Sequence, residues 1–188
     1  MHGNVLEVGS GRQGRRGYFK PPFETADTWI HLDSEDKRKP HIRGDVEHLC
    51  FRRGILDSIV CLEVLEYVTH PQAAIEEMYR ALRVGGNLIL AAPFLHRVDH
   101  PHDYWRFTEH GLKYLLTESG FAIQRFKRQG AAMSVLVNVI KYMIYALPTF
   151  WPRILLGLLA YLPLTVILKL DKQVTWRLPV SQTFSTGY

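Results

Sequence analysis

Two cysteines are all that 188 residues contain, and neither Cys50 nor Cys61 falls in a CxxC or Cys/His ligand spacing. No disulfide is expected, and both read as small buried hydrophobes in a reducing compartment. No basic stretch followed by a long apolar one precedes Val5-Leu6-Glu7-Val8-Gly9, so a secretory signal is not expected and a cytoplasmic protein is. No uncharged apolar run reaches the ~20 residues of a simple membrane span without a proline inside it. Internal repeats, low-complexity tracts and a K/R-rich run with interleaved aromatics are missing too, which argues against solenoids and against nucleic acid as a partner. What remains is 47% hydrophobic, enough for one substantial core and too much for a disordered or collagen-like chain.

Acidic residues almost vanish from the last third. Residues 1–60 hold 10 Lys/Arg and 9 Asp/Glu, residues 61–120 hold 5 and 8, and residues 121–188 hold 8 and 1. The net charge of +5 therefore lies where the long apolar stretches also lie, a combination suited to an anionic membrane surface.

Periodicity predicts strands at Asn4–Val8, Trp29–Leu32, His41–Val46, Ile55–Leu62, Asn87–Ala92 and Phe121–Lys127. A helix is predicted over Pro71–Leu82, its inner face at Ala74, Ile75, Met78, Tyr79 and Leu82, with Gly85-Gly86 as the stop. Thr108 caps another helix with Leu112, Leu115 and Leu116 on one side, running to Gly120. Strands alternating with helices or long connections imply an α/β fold, a Rossmann-like, doubly wound and mostly parallel sheet that binds ligands at the carboxyl ends of its strands.

The motifs fall at those ends. Gly9-Ser10-Gly11 closes the first strand with a turn that lets a ligand approach the backbone, and Glu7 adds a carboxylate for a cationic group. Asp33, followed by Ser34 at the end of the second strand, is placed to accept from both hydroxyls of a ribose. Asp45 suits an adenine amine while Val46 packs on the ring. Gly9-Ser10-Gly11-Arg12-Gln13-Gly14 also satisfies GxGxxG, with Asp33 19 residues after Gly14, so an NAD(P)-dependent oxidoreductase is the rival reading. That motif needs a helix N-terminus for the pyrophosphate, and Arg15-Arg16-Gly17-Tyr18-Phe19-Lys20-Pro21-Pro22 makes a poor helix.

Three segments in order carry a resemblance to a known family. They are Val5-Leu6-Glu7-Val8-Gly9-Ser10-Gly11, then Leu49-Cys50-Phe51 with Asp57 to Val68, then Arg80-Ala81-Leu82-Arg83-Val84-Gly85-Gly86-Asn87-Leu88-Ile89-Leu90. Over roughly residues 4–130 the chain resembles the class I S-adenosylmethionine-dependent methyltransferases of the type 11 group. The resemblance implies that Gly9 and Gly11 contact the methionine part of S-adenosyl-L-methionine, Asp33 the ribose, Asp45 and Val46 the adenine, and Leu62 and Glu63 the cofactor from the fourth strand. Tyr67 stands where that family usually has histidine, Cys50 where it usually has proline, and Ile55-Leu56 where a polar-aromatic pair is common. Pro93-Phe94 and Pro101-His102-Asp103-Tyr104-Trp105-Arg106-Phe107-Thr108 resemble a subset associated with surface-polysaccharide or lipid-linked sugar biosynthesis, which makes a small-molecule or lipid-linked acceptor the implied substrate.

Methyl transfer by direct displacement depends chiefly on alignment and exclusion of water. For a hydroxyl acceptor, His96, His100, His102 and Asp103 are the candidate bases, His100 and Asp103 first among them, with His96, Tyr104 and Arg106 for substrate. Arg106 pairing with Asp103 to lock the loop is the plainer alternative. The spacing of His96, His100, His102 and Asp103 also invites zinc or non-haem iron, but a methyl donor requires no metal and none is expected.

Ala131–Leu168 has only Lys141 and Arg153 charged. Ser134, Asn138, Lys141 and Tyr145 share one helical stripe, opposite an apolar face of Leu136, Val139, Ile140, Met143, Ile144 and Leu147. Pro148 and Pro152 break that helix, and a second apolar stretch, Ile154–Leu168, has Pro163 inside. The expected layout is a cofactor domain over 1–130, a helical insertion over 131–172 and a segment over 173–188 that begins the last strand. The insertion reads as an interfacial hairpin, or as an active-site lid or homodimer surface. A non-catalytic, membrane-associated cofactor-binding protein is the third reading of the whole.

Overall fold

The computed structural model describes residues 3–10, 26–98, 100–129 and 132–174. Strands β1 (Asn4–Val8), β2 (Thr28–Asp33), β3 (Ile42–Arg43), β4 (Leu56–Leu62) and β5 (Leu82–Ala91) make one parallel sheet in the order β3-β2-β1-β4-β5. The helices are α1 (Pro71–Ala81), α2 (Glu109–Glu118), α3 (Ala132–Tyr145) and α4 (Phe150–Val174). The α/β, Rossmann-like fold expected from the alternating pattern is the one observed. Strand order runs outward from β1 to β3 and then crosses to the other side of β1 with β4. The carboxyl ends of β1 and β4 therefore flank a topological switch point, where ligands of such sheets bind.

The chain divides into two compact units, one of Met1–Pro93 with Val98–Arg125, the other of Phe94–Arg97 with Phe126–Tyr188. In the first, β1 and β4 are rich in apolar side chains because both faces of a central parallel strand are covered, and Val5, Leu6, Ile59, Val60 and Cys61 have no solvent exposure. Burial and the nearby Glu66 and Glu63 carboxylates push the Cys61 thiol up, which keeps it an inert, protonated hydrophobe. Cys50, in contrast to the sequence expectation, is exposed. On α1, Ala74, Ile75, Met78 and Ala81 are buried, while Glu77 and Arg80 clasp the preceding loop: Glu77 accepts from Leu49 N–H, and Arg80 donates to the Leu49 and Phe51 carbonyls.

Two boundaries differ from the sequence reading. α1 ends at Ala81 because Leu82 pairs with Leu56 in the sheet, and the register then jumps from Leu56↔Leu82 to Ser58↔Asn87. Gly85, at φ 77°, serves that irregularity within β5 rather than stopping the helix. Residues 121–127 are not a strand. Phe121 closes α2 by donating its N–H to Leu116 O, and its ring packs edge-on against Tyr79 with centroids 5.1 Å apart. Thr108 caps α2 as expected, accepting from Gly111 N–H.

In the second unit α3 and α4 are joined by residues 146–149 and pack on each other, burying Val137 and Leu164. Pro152 does not end a helix. It sits in the first turn of α4, where backbone N–H groups lack intrahelical partners, and Pro163 lies inside the helix. Gln173 and Val174 are helical, and the expected last strand beyond them lies outside the described residues.

Candidate active site

At the switch point the α/β unit encloses a cavity of about 710 Å³. Its floor is the end of β1: Val8 and Gly9. Gly9 adopts φ +65°, and a Cβ there would lie 2.3 Å from Val64 Cγ2. Both constraints demand glycine. Gly9 N–H donates to Leu32 O at 2.9 Å, tying the turn to the neighbouring strand and placing Asp33 beside it.

Asp33 and Ser34 line the next wall with Glu35 and Arg38. Asp33 is buried; its Oδ1 accepts Glu35 N–H at 3.0 Å and its Oδ2 lies 3.6 Å from Arg38. Asp45 and Val46 follow from the loop after β3, together with Glu47. Glu47 was not singled out from sequence, yet it holds this wall to the one after β4. Its buried carboxylate accepts from Thr69 N–H, Thr69 Oγ1 and His70 N–H and meets His70 Nδ1, at 2.7 to 3.0 Å. Burial alone would raise its pKa; the donors of His70 and Thr69 more than offset that and bring it down to about 2.

Glu63, Val64, Tyr67, Val68 and Thr69 supply the far wall. Glu63 sits in the left-handed region at φ 54°, a strain of order 1–3 kcal/mol that marks a shaped site. Leu62 ends β4 just before it, half-buried and outside the lining. The mouth carries His100, His102 and Tyr104. His102 Nδ1 is 2.9 Å from Tyr104 Oη, His100 Nδ1 accepts His102 N–H at 3.1 Å, and the Tyr67 ring meets His100 edge-on. Tyr104 and Trp105 donate backbone N–H groups to Glu66 O, and Trp105 Nε1 donates to Val68 O at 2.8 Å. The loop is thus strapped to the turn after β4. Behind it Glu66 is buried with Oε2 unpaired. Burial, with Glu63 and Asp103 nearby, pushes its carboxyl up to about 8.

Of the residues expected to bind cofactor, Gly9, Asp33, Ser34, Asp45, Val46 and Glu63 line the cavity. Gly11 lies outside the described residues. Ser10 is buried and outside the lining. Glu7 points elsewhere: in register with His31 on β2, it accepts Trp29 Nε1–H at 2.8 Å and lies 3.2 Å from His31 Nδ1. Among the loop candidates, His100, His102 and Tyr104 reach the cavity. Asp103 has a buried carboxylate held by both terminal nitrogens of Arg106, the locking pair weighed above. His96 belongs to the other unit, where its Nε2 is 3.3 Å from Tyr142 Oη. Glu35, Arg38, Glu47 and Thr69 are lining residues that no sequence motif marked.

The electrostatics discriminate between ligands. Five carboxylates, Asp33, Glu35, Asp45, Glu47 and Glu63, line the cavity against one guanidinium, and Arg38 is already engaged by Glu35 at 3.0 Å. Such a lining repels a pyrophosphate and favours a cation with hydroxyls and an amine. Residues 22–90 match the family described as "Methyltransferase domain", type 11. S-adenosylmethionine is the cofactor of methyltransferase domains, and the cavity's size and acidity suit such a ligand. No curated protein matches the sequence. Similar solved structures include the YcgJ protein of Bacillus subtilis (17% identity over 72% of this chain and 70% of that one, TM-score 0.56). A SAM-dependent methyltransferase of Archaeoglobus fulgidus is similar too (15%, 67% and 65%, TM-score 0.55). So is an S-adenosylmethionine-dependent methyltransferase of Mesorhizobium loti (16%, 66% and 77%, TM-score 0.52). At these identities the likeness is one of fold. The chain spans 64% of the length of the Bacillus halodurans and Thermotoga maritima proteins that it also matches.

Proposed function

We propose that the chain transfers the methyl group of S-adenosylmethionine to a hydroxyl of a saccharide or lipid-linked acceptor held at the His100–Tyr104 mouth of the cavity. The observation that carries this is the acidic cavity at the switch point, with Gly9 and Asp33 on adjoining walls. In this reading Asp33 accepts from the ribose hydroxyls, Asp45 from the adenine amine against Val46, and Gly9 leaves room for the methionine part facing Glu63. When bound, the sulfonium supplies an electrophilic methyl group and departs as a neutral thioether.

The chain's own work is alignment, water exclusion and disposal of one proton. Asp103, buried and committed to Arg106, positions the loop. His100 presents an N–H toward the acceptor because its Nδ1 already accepts from His102 N–H. That leaves His102, oriented through its Nδ1 contact with Tyr104 Oη, to take the hydroxyl proton. The proposed base therefore moves from His100 and Asp103 to His102.

Calorimetry with S-adenosylhomocysteine and with NAD tests the cofactor assignment. Binding of the first, its loss in Asp33→Ala at unchanged melting temperature, and no heat with the second are expected. A protein that binds NAD and ignores S-adenosylhomocysteine would overturn the proposal.

A further inference from the structure

Apart from Val137 and Leu164, which are buried, the α3–α4 hairpin exposes many of its apolar side chains. Met143 is 67% exposed, Leu158 69% and Leu159 66%, with Leu136, Val139 and Leu155 about half open. On α4, residues 154–156 and 158–159 are all exposed, so no polar side separates an inner face from an outer one. A helix apolar all round belongs in a core or in lipid, not in water. None of the described helices is long and apolar enough to cross a membrane.

Charge selects the occupant. The hairpin, residues 132–174, carries four cations, Lys141, Arg153, Lys169 and Lys172, against one carboxylate, Asp171, and Lys141 is exposed on α3. A second copy docking by two-fold symmetry would set this surface against itself, bringing four cations of each copy together with one carboxylate apiece to balance them. An anionic bilayer offers what the surface lacks: hydrocarbon for the leucines and phosphates for the cations. We infer that the α3–α4 hairpin docks in the headgroup region of an anionic lipid bilayer without crossing it. This stands on the helical unit alone and is independent of the transferase reading.

The test is flotation of the full chain with phosphatidylcholine vesicles, with and without phosphatidylglycerol. The protein should rise with the anionic vesicles and stay behind with the neutral ones. Lys141→Gln should weaken partition roughly fivefold at low salt, as one surface cation would. The double variant Leu158→Asp, Leu159→Asp should lose at least ~10-fold in partition while keeping its melting temperature and its S-adenosylhomocysteine binding. Failure of the intact chain to float, or flotation of the double variant like the parent, would overturn the inference. So would a concentration-dependent dimer abolished by the double variant in the absence of any flotation. Since nucleoside binding is read separately, its failure leaves the membrane result standing.

Discussion

In the α/β unit Leu6, Leu32, Leu56 and Leu112 are at most 1% exposed, whereas in the helical unit Leu158 and Leu159 are mostly open. The same residue type thus meets two different surroundings within one chain. Polar groups follow the same division. Around the cavity carboxylates are paired, capped or clasped, as with Asp33, Glu47 and Asp103, while residues 132–170 contain no carboxylate at all. The difference teaches that one unit is organised to hold a polar ligand away from water, and the other to present apolar surface beyond itself.

That contrast can be broken experimentally, most severely at the floor of the cavity. Gly9→Ala forces a Cβ against Val64 at a positive φ, and a penalty of about 3 kcal/mol or more should cut S-adenosylhomocysteine affinity by ~100-fold or more in a calorimetric titration. Next comes the clasp between the walls. Glu47→Ala strands the donors of Thr69 and His70 and should cost about 3 kcal/mol in urea unfolding. Since the folded state lowers this carboxyl from 4.5 to about 2, its contribution is complete above pH ~4.5 and fades as pH falls toward 2. Glu47→Gln should remove that part of the acid-unfolding profile.

Glu66 has the opposite sign. Its folded pKa is raised to about 8, so between pH ~4.5 and 8 the native state keeps a proton that the unfolded chain releases, and stability falls as pH rises. Glu66→Gln should flatten this slope, at most ~1.4 kcal/mol per pH unit, and stabilise the protein near pH 8 in thermal melts; an unchanged pH profile would refute the assignment. The smallest effect sharpens the comparison itself. Leu158→Ala should change unfolding free energy by no more than ~0.5 kcal/mol, whereas Leu112→Ala should cost ~2–5 kcal/mol.

Much of the α/β unit was legible because a central parallel strand leaves a plain signature. The apolar runs ending at Val8 and Leu62, and the glycine and aspartate that follow β1 and end β2, identified the sheet and two cavity walls before any coordinates. The Phe121–Lys127 strand failed because alternating exposure is no substitute for a partner to pair with. Glu7 lies near the glycine turn in sequence, but strand alternation turns it toward Trp29 and His31. Glu47 could not have been found, since its four donors lie 22 and 23 residues away.

By itself the amino-acid order determined the element types, the switch-point location of the motifs and the separation of charge from carboxylate along the chain, because these depend on local pattern and composition. Only the tertiary structure decided which carboxylates face the cavity, that Asp103 is committed to Arg106, and that Leu158 and Leu159 stay outside while Leu164 is buried. Those outcomes depend on which faces meet across long sequence distances, and a one-residue rotation or register shift would reverse them without altering any local propensity.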